Sequence, residues 1–481
     1  VTAAVASYWE DTAAPDESGA RPLDGDRQVE VAVIGGGYTG LTAALRLAGV
    51  QGVDVAVLEA NRIGWGASGR NSGFALTSVG KVGLDERIRK WGVEAARASV
   101  RLGVDAVETV RGLIRSEAID CDAQTEGALL VAHRDERAAE LRERVRTYRE
   151  VLGYDGVSFL SREQLDTEGY LRGPSAGGAI RSHTGFGLHP LKYARGLAKA
   201  AARRGAALFD RSPVVSWQRD GSTHVLATPS GTVRTRRVVM ATNGYTPEHL
   251  HPFFHGRLLP AASNIVVTRP LTAAEWDAVG MATTQVYSDT RRLLFYWRRL
   301  PDNRLLFGGR SGVFDTPAAL AQRRRWLEAA IAAKWPSLQG IGSEWFWHGN
   351  VCLSYDLIPH AHTVDGDPTV AYAMAYLGSG VALSSHCGGL VADLVLGKRV
   401  PRGTPVTNAG LVRFPLPALR KAYLAGAYLA YGIEDRWRWT IRSRRWPYRK
   451  PFAMVCPRCG ATRTSCRQPK CCPDCLCNGR M

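Results

Sequence analysis

Apolar and polar positions change rhythm repeatedly along the chain. Residues 29–34 (VEVAVI) alternate and then run apolar, which predicts a largely buried β-strand. Gly35, Gly37 and Gly40 follow, and 41–48 (LTAALRLA) places apolar residues at helical spacing. A second β run, 53–58, ends in Glu59. Beyond it, 84–116 carries helical periodicity broken by Arg and Glu, and 127–132 (GALLVA) reads as a strand. Residues 135–152 read as a charged helix with a thin apolar stripe. His189-Pro190 opens a helix over 191–204. Strands are predicted over 207–210, 214–219, 224–228 and 237–241. The stretch 258–312 alternates like antiparallel strands, with a turn at Pro301-Asp302-Asn303. A helix over 322–335, a strand over 370–374, the turn Gly378-Ser379-Gly380 and an apolar helix over 381–396 complete the pattern. No internal repeat is visible.

The strand–turn–helix–strand unit at 29–59 has the order of a dinucleotide-binding βαβ unit. Gly35 permits the tight turn, Gly37 lets the backbone approach a pyrophosphate, and Gly40 lets the helix sit close on the strand. The phosphates would meet free N–H groups at the helix N-terminus. Glu59 is spaced to accept from a ribose, about 20 residues downstream. The expected fold is α/β (α+β overall): a GxGxxG Rossmann-like domain interleaved with a mostly antiparallel-sheet substrate domain. The nucleotide-binding segments are expected near 29–80, 185–245 and 345–400, and the substrate-domain segments near 81–184 and 246–344. Residues 1–28 are polar and contain Pro and Gly, and read as a lead-in segment. Residues 438–481 form a separate tail.

Composition narrows the class. The chain has 481 residues, 45% hydrophobic and 22% charged, ordinary for a globular protein with a large core. No run of about 18 apolar residues predicts a membrane span. No apolar leader opens the chain, so a cytoplasmic location is expected. The net charge of +18 is uneven: 438–481 hold eleven Lys/Arg against one acid, Asp474, leaving eight excess positive charges in 1–437. The body is only mildly basic, so nucleic-acid contact is expected only through the tail. Cysteine is equally uneven. Cys121, Cys352 and Cys387 lie in the body and seven more lie in the tail, so the body reads as a reduced intracellular enzyme.

In the tail, Cys456-x-x-Cys459 and Cys472-x-x-Cys475 are separated by twelve residues. Four thiolates at such knuckles suit a tetrahedral zinc ribbon, although the usual gap is about 15–20. A tail rich in Arg, Trp, Pro and Cys is equally what a shifted reading frame of GC-rich DNA, or a disordered segment, would contain. With zinc bound, its basic and Trp-rich runs would supply charge and stacking to a nucleic acid or a partner.

Four segments carry a family resemblance: EANRIGWGASGRNSG at 59–73, GLHPLKYARGLAKAA at 187–201, VVMATNGYTP at 238–247 and AYLGSGVALSSHCGGLVADLVLGK at 375–398. ASYWEDTA at 6–13, CDAQTEGALLVA at 121–132 and DNRLLFGG at 302–309 add to it. The chain resembles the D-amino-acid-oxidase-like FAD-dependent amine oxidoreductases, most of all the γ-glutamylputrescine oxidoreductase type, from about Ser7 to about Trp437. The resemblance implies non-covalent FAD. Gly35, Gly37 and Gly40 would cradle its pyrophosphate and Glu59 its ribose. Ser68, Arg70 and Asn71 would reach the pyrophosphate or flavin, and Val214 the adenine through its backbone. Ala241, Thr242 and Gly244 would line the cofactor, with Gly378, Gly380 and Val381 at the ring.

The resemblance also implies the chemistry. A neutral amine or amino acid gives hydride from its α-carbon to flavin N5, an imine leaves and hydrolyses, and O2 reoxidises the flavin to yield H2O2. Tyr245, Tyr296, Trp297 and Tyr376 are candidates for an aromatic substrate pocket, and each is equally readable as packing. Arg298 suits a substrate carboxylate or a strand edge. His386 would face the flavin or fill the core, and His189 is structural first and catalytic second. Cys352 falls in the region where some sarcosine oxidases attach flavin, but several residues out of register. Arg70-Asn71-Ser72-Gly73-Phe74 and Ala375-Tyr376-Leu377-Gly378-Ser379-Gly380 stand where family members often have RNGGQ and GYSGHG, which leaves the substrate unnamed. No CxxxxC dithiol follows the first βαβ unit, against a disulfide reductase, and no second GxGxxG supports a two-nucleotide monooxygenase. The other class considered is a flavoprotein-derived binding or regulatory protein acting through a zinc tail.

Overall fold

The glycine turn lies at the centre of the first of two sheets. The structure, a computed structural model, describes residues 6–124, 126–172, 177–313 and 315–436. Among these, eight strands form the first sheet. Arg27–Ile34 pairs in parallel with Val55–Leu58 on one side and Gly231–Met240 on the other. Ala207–Phe209 extends the first side in parallel, and Asp367–Met374 the second. The strands are apolar on both faces because both faces are covered, as parallel sheets require. Val31 and Val33 face the helices Tyr38–Ala48, Pro190–Arg203 and Gly380–Val395 through Leu41, Leu197 and Val391. Ala32 and Ile34 face the opposite cluster with Met240 and Phe254.

Nine described strands form the second sheet, in the order Trp345–Leu353, Leu259–Pro270, Arg304–Arg310, Phe295–Arg299, Val286–Asp289, Glu126–Val131, Gly178–Gly187, Phe74–Ala75, with Val157–Ser161 also on Gly178–Gly187. Every pairing is antiparallel except Val286–Asp289 with Glu126–Val131. Helix Pro317–Lys334 covers its outer face, where Leu327 and Ile331 meet Trp297, Phe307 and Trp335. The fold class is the one the sequence pattern pointed to.

Local differences have physical reasons. The long helix Leu84–Ser116 breaks at Gly92, where φ is 86°, a conformation glycine adopts without a Cβ clash. Trp345–Leu353, expected among the nucleotide-binding segments, pairs along its whole length with Leu259–Pro270 in the second sheet. The lead-in segment is more than a polar leader. Ser7 caps the short helix Tyr8–Thr12 by accepting from Glu10 N, and Trp9, 1% exposed, packs beside Leu191, Ile265 and Trp347. A last helix, Arg420–Arg436, was not visible in the pattern. Among the described residues no helix is long and apolar enough to cross a membrane.

Candidate active site

A cavity of about 540 Å³ is bounded by residues of both sheets, from Ile34 and Leu58 on one side to Ile265 and Tyr296 on the other. At one end the strand Arg27–Ile34 turns at Gly35, φ 111°, where a Cβ would stand 2.8 Å from Ala241 O. A Cβ on Gly40 would overlap Gly35 O, so only glycine lets the helix start this close to the strand. At Gly37 a Cβ would lie 2.8 Å from Ser68 Oγ, which accepts instead from Tyr38 N at 3.0 Å. Gly37 offers this helix no side-chain cap of its own, and with Ser68 taking the Tyr38 N–H the rest of the first turn can face an anion. Glu59 accepts from Gly36 N at 2.7 Å and Asn61 N at 2.9 Å, which fixes its carboxylate at the turn. Burial pushes its pKa up, against the pull of those N–H groups.

The short helix Ala67–Arg70 forms the next wall. Asn71 closes it, donating to Ala67 O at 3.0 Å and Ser68 O at 2.9 Å and accepting from Gly73 N at 2.7 Å. Its carboxamide therefore shapes the wall. Arg70 stacks 3.8 Å over the Trp65 ring and donates Nε–H to Trp65 O at 2.7 Å. Its Nη2 is buried without a protein partner, a donor that requires an acceptor from outside the chain. Ala241 and Thr242 also line the cavity.

At the far end, Gly378 turns with φ 93° and Gly380 begins the helix Gly380–Val395, with Val381 on the lining. Tyr376 lines the cavity and its hydroxyl meets Thr39 Oγ1 at 2.7 Å. Tyr245 lines it too, accepting from Asn350 N at 3.1 Å and standing edge-on to Trp65. Tyr296 Oη meets Ser263 Oγ at 2.9 Å, and burial pushes its pKa up to about 12. Cys352 also lines the cavity, a buried thiol pushed up to about 12 by burial.

The family model described as FAD dependent oxidoreductase (DAO) matches residues 30–394. This chain belongs to that family. It is 31% identical over 412 residues to the gamma-glutamylputrescine oxidoreductase of Escherichia coli K12, covering 85% of this chain and 93% of that protein. It is 31% identical over 386 residues to the probable oxidoreductase OrdL of Haemophilus influenzae, covering 78% and 85%. Among solved structures, glycine oxidase from Geobacillus kaustophilus superposes with a TM-score of 0.63 at 22% identity, covering 78% of this chain and 96% of that one. L-amino acid deaminase from Proteus vulgaris superposes at 0.65 with 19% identity, covering 84% and 98%. At those identities the structural likeness speaks for the fold.

The residues present fit the cofactor of an FAD-dependent oxidoreductase. The cradle at Gly35, Gly37 and Gly40 leaves the space a pyrophosphate needs, and Arg70 Nη2 supplies an unspent donor. Two expected contacts, Val214 and Gly244, stand outside the lining: Val214 is buried among Leu58, Phe209 and Leu226, and a Cβ on Gly244 would face Asn350.

Three expected substrate or catalytic residues also lie elsewhere. Trp297 points to the opposite face from Tyr296, because neighbours on a strand alternate, and stacks 5.8 Å from Tyr287 in the outer core. Arg298 is 1% exposed and donates to Gln124 Oε1 at 2.9 Å and Leu188 O at 2.8 Å. Burial brings its pKa down to about 9. It ties loops together beneath Trp9 and does not line the cavity. His386 Nδ1 meets Thr109 Oγ1 at 2.9 Å at a helix–helix contact, also off the lining. His189 caps Pro190–Arg203, accepting from Lys192 N at 3.2 Å, and meets Thr12 Oγ1 at 3.1 Å. Cys456, Cys459, Cys472 and Cys475 fall outside the described residues, and among the described residues no group of three or more His, Cys, Asp or Glu could hold a metal.

Besides the expected Arg70, three cations that the sequence reading did not point to line the cavity, Lys81, Arg144 and Arg310. A signal for Arg310 was available. Tyr296 pairs with Gly308 across neighbouring strands, and residue 310, two places on, shares that face. Arg310 Nη2 donates to Leu377 O, beside Gly378, and burial lowers its pKa.

Proposed function

We propose that the protein oxidises the C–N bond of an amine or amino acid, taking hydride from the α-carbon, releasing an imine and passing electrons to O2 with formation of H2O2. The observation that supports this most is Arg310, a cation lining the same cavity as the glycine cradle and standing at the turn Gly378. Bound FAD would supply the hydride acceptor. The chain supplies binding, orientation and dryness. Arg310 offers N–H donors to a substrate carboxylate, a geometry that guanidinium suits. Tyr245, Tyr296 and Tyr376 enclose the reacting carbon with apolar ring surface and exclude water. Among the described lining residues the only acid is Glu59, at the glycine turn, so no described residue at the Arg310 end holds an amine in its ammonium form. The amine therefore reacts as the free base, and the released imine hydrolyses in water to a carbonyl compound. The substrates named for its relatives, glycine and γ-glutamylputrescine, belong to the same class of compounds. The test is product chemistry: an amino acid oxidised aerobically is expected to give one H2O2 and one carbonyl product per amine consumed. Carbonyl formation with no H2O2 would remove the oxidase part of the reading, and neither product from any amine would remove all of it.

A further inference from the structure

The cavity is lopsided in charge beyond what a simple amino acid needs. Beside Arg70, the cations Lys81, Arg144 and Arg310 line it, against Glu59 as the one acid among the described lining residues, which is held at the other end by Gly36 and Asn61 N–H. Surface cations of this chain commonly have acidic partners. On the helix Asp135–Arg146, Arg137 meets Glu140 at 2.7 Å and Arg146 meets Glu143 at 2.9 Å. Arg144, the arginine of that helix on the cavity lining, has no ion pair among the described residues. Neither has Lys81. The Lys81 backbone N–H is fixed to Leu357 O at 2.9 Å, so the side chain leaves from an anchored point, and its ammonium has no hydrogen-bond or ion-pair partner among the described residues. Lys81 lines the cavity and is solvent-exposed, and desolvation followed by the Arg310 charge lowers its pKa to about 7. Arg310 gives one N–H to Leu377 O and otherwise faces the phenols of Tyr296 and Tyr428.

Two cations that repel each other in one cavity, with no acid between them among the described residues, form a site that an anionic ligand relieves. The diphosphate charge of FAD belongs with the glycine turn and Arg70, the features built for it. The anion near Lys81 and Arg310 then comes from the substrate. One carboxylate satisfies Arg310 and leaves Lys81 unanswered, whereas a plain diamine is repelled by both.

We infer that the substrate is an amino acid with a second anionic group, one acid held by Arg310 and the other by Lys81. This rests on the amine-oxidation reading, and two readouts on the flavin-loaded protein separate the two. The first is equilibrium binding, read by perturbation of the flavin spectrum; the second is anaerobic flavin reduction. The probes are glutamate, aspartate and iminodiacetate, against alanine, sarcosine and putrescine, with both enantiomers where they exist. The expected result is at least about tenfold tighter binding of the best diacid than of any monoacid at low salt, a preference that shrinks as salt is raised. Lys81→Met is expected to collapse the diacid-over-monoacid ratio to within about threefold and Lys81→Arg to restore most of it. Retained flavin content and melting temperature report that each variant is folded. The inference is overturned if putrescine or a monoacid binds as tightly as every diacid, or if Lys81→Met leaves the ratio unchanged and slows only reoxidation by O2. Lys81-dependent diacid binding with no reduction by any amine would instead overturn the oxidation reading and leave the charge reading standing.

Discussion

Arg310 donates to the carbonyl of Leu377, which ties the substrate-side sheet to the turn at Gly378. One guanidinium thus holds the two halves of the site in register while lining the cavity beside Tyr296. Replacing it with Leu should raise KM for carboxylate-bearing substrates by about 100-fold, the range expected for losing a desolvated charge pair. Arg310→Lys should recover only part of this, since an ammonium is a point charge without the planar fork. Steady-state kinetics on both variants reads the difference. An unchanged KM in Arg310→Leu would place the carboxylate elsewhere.

The glycine cradle makes a sharper demand. A Cβ on Gly40 would overlap Gly35 O, so the helix must retreat from the strand. Gly40→Ala should therefore purify with less than about 0.2 flavin per chain, against about 1 for the parent, because the N–H groups no longer converge on the pyrophosphate. The visible spectrum of the purified protein measures this. Full flavin content in the variant would count against the cradle.

Arg298 and His386 should behave as structural groups. Arg298→Ala removes two hydrogen bonds, to Gln124 and Leu188, and exposes an acceptor at each. The expected cost is about 2–4 kcal/mol by urea unfolding. His386→Ala, which loses only Thr109, should cost about 1 kcal/mol. Neither should move KM by more than about twofold in protein that remains folded. A large KM change confined to Arg298→Ala would return that residue to the site.

Buried histidines should make the protein acid-labile. Burial brings the pKa of both His133 and His189 down to about 3. Between that value and the unfolded value of about 6.5, the unfolded chain binds protons that the native protein refuses. Stability is then flat above about pH 7 and falls on acidification through that window, by about 1.4 kcal/mol per pH unit for each histidine. Urea unfolding at pH 7.5 and 5.0 reads the slope. His189→Asn, which retains an acceptor for the helix cap, should remove part of it. A slope unchanged in that variant would mean that His189 titrates normally.

Much of this was legible in the chain itself. The turn at Gly35, Gly37 and Gly40 and the distant Glu59 follow from local sterics and spacing, which a sequence carries directly. The run FYWRR shows where legibility stops. Its alternation says that Tyr296 and Trp297 point opposite ways, but only the packed helix Pro317–Lys334 decides which face is the core. Arg298 shares the Tyr296 face and is diverted by Gln124 and Leu188, partners more than a hundred residues away. His386 follows Ser384, a lining residue, by two positions, a turn of about 200° around a helix and so away from the cavity. Lys81 is set by a backbone bond to Leu357, a contact no local pattern contains. Trp9 hid in a segment whose composition is polar overall, and its burial depends on Trp347 and Leu191 closing over it.

The central claim, amine oxidation at this cavity, is tested most directly by anaerobic titration of the flavin-loaded protein with an amino acid panel. The expected result is loss of the absorbance band near about 450 nm with at least one amino acid, and its return on admitting O2. A flavin spectrum that no amine or amino acid bleaches, in protein shown to bind the same compounds, would contradict it.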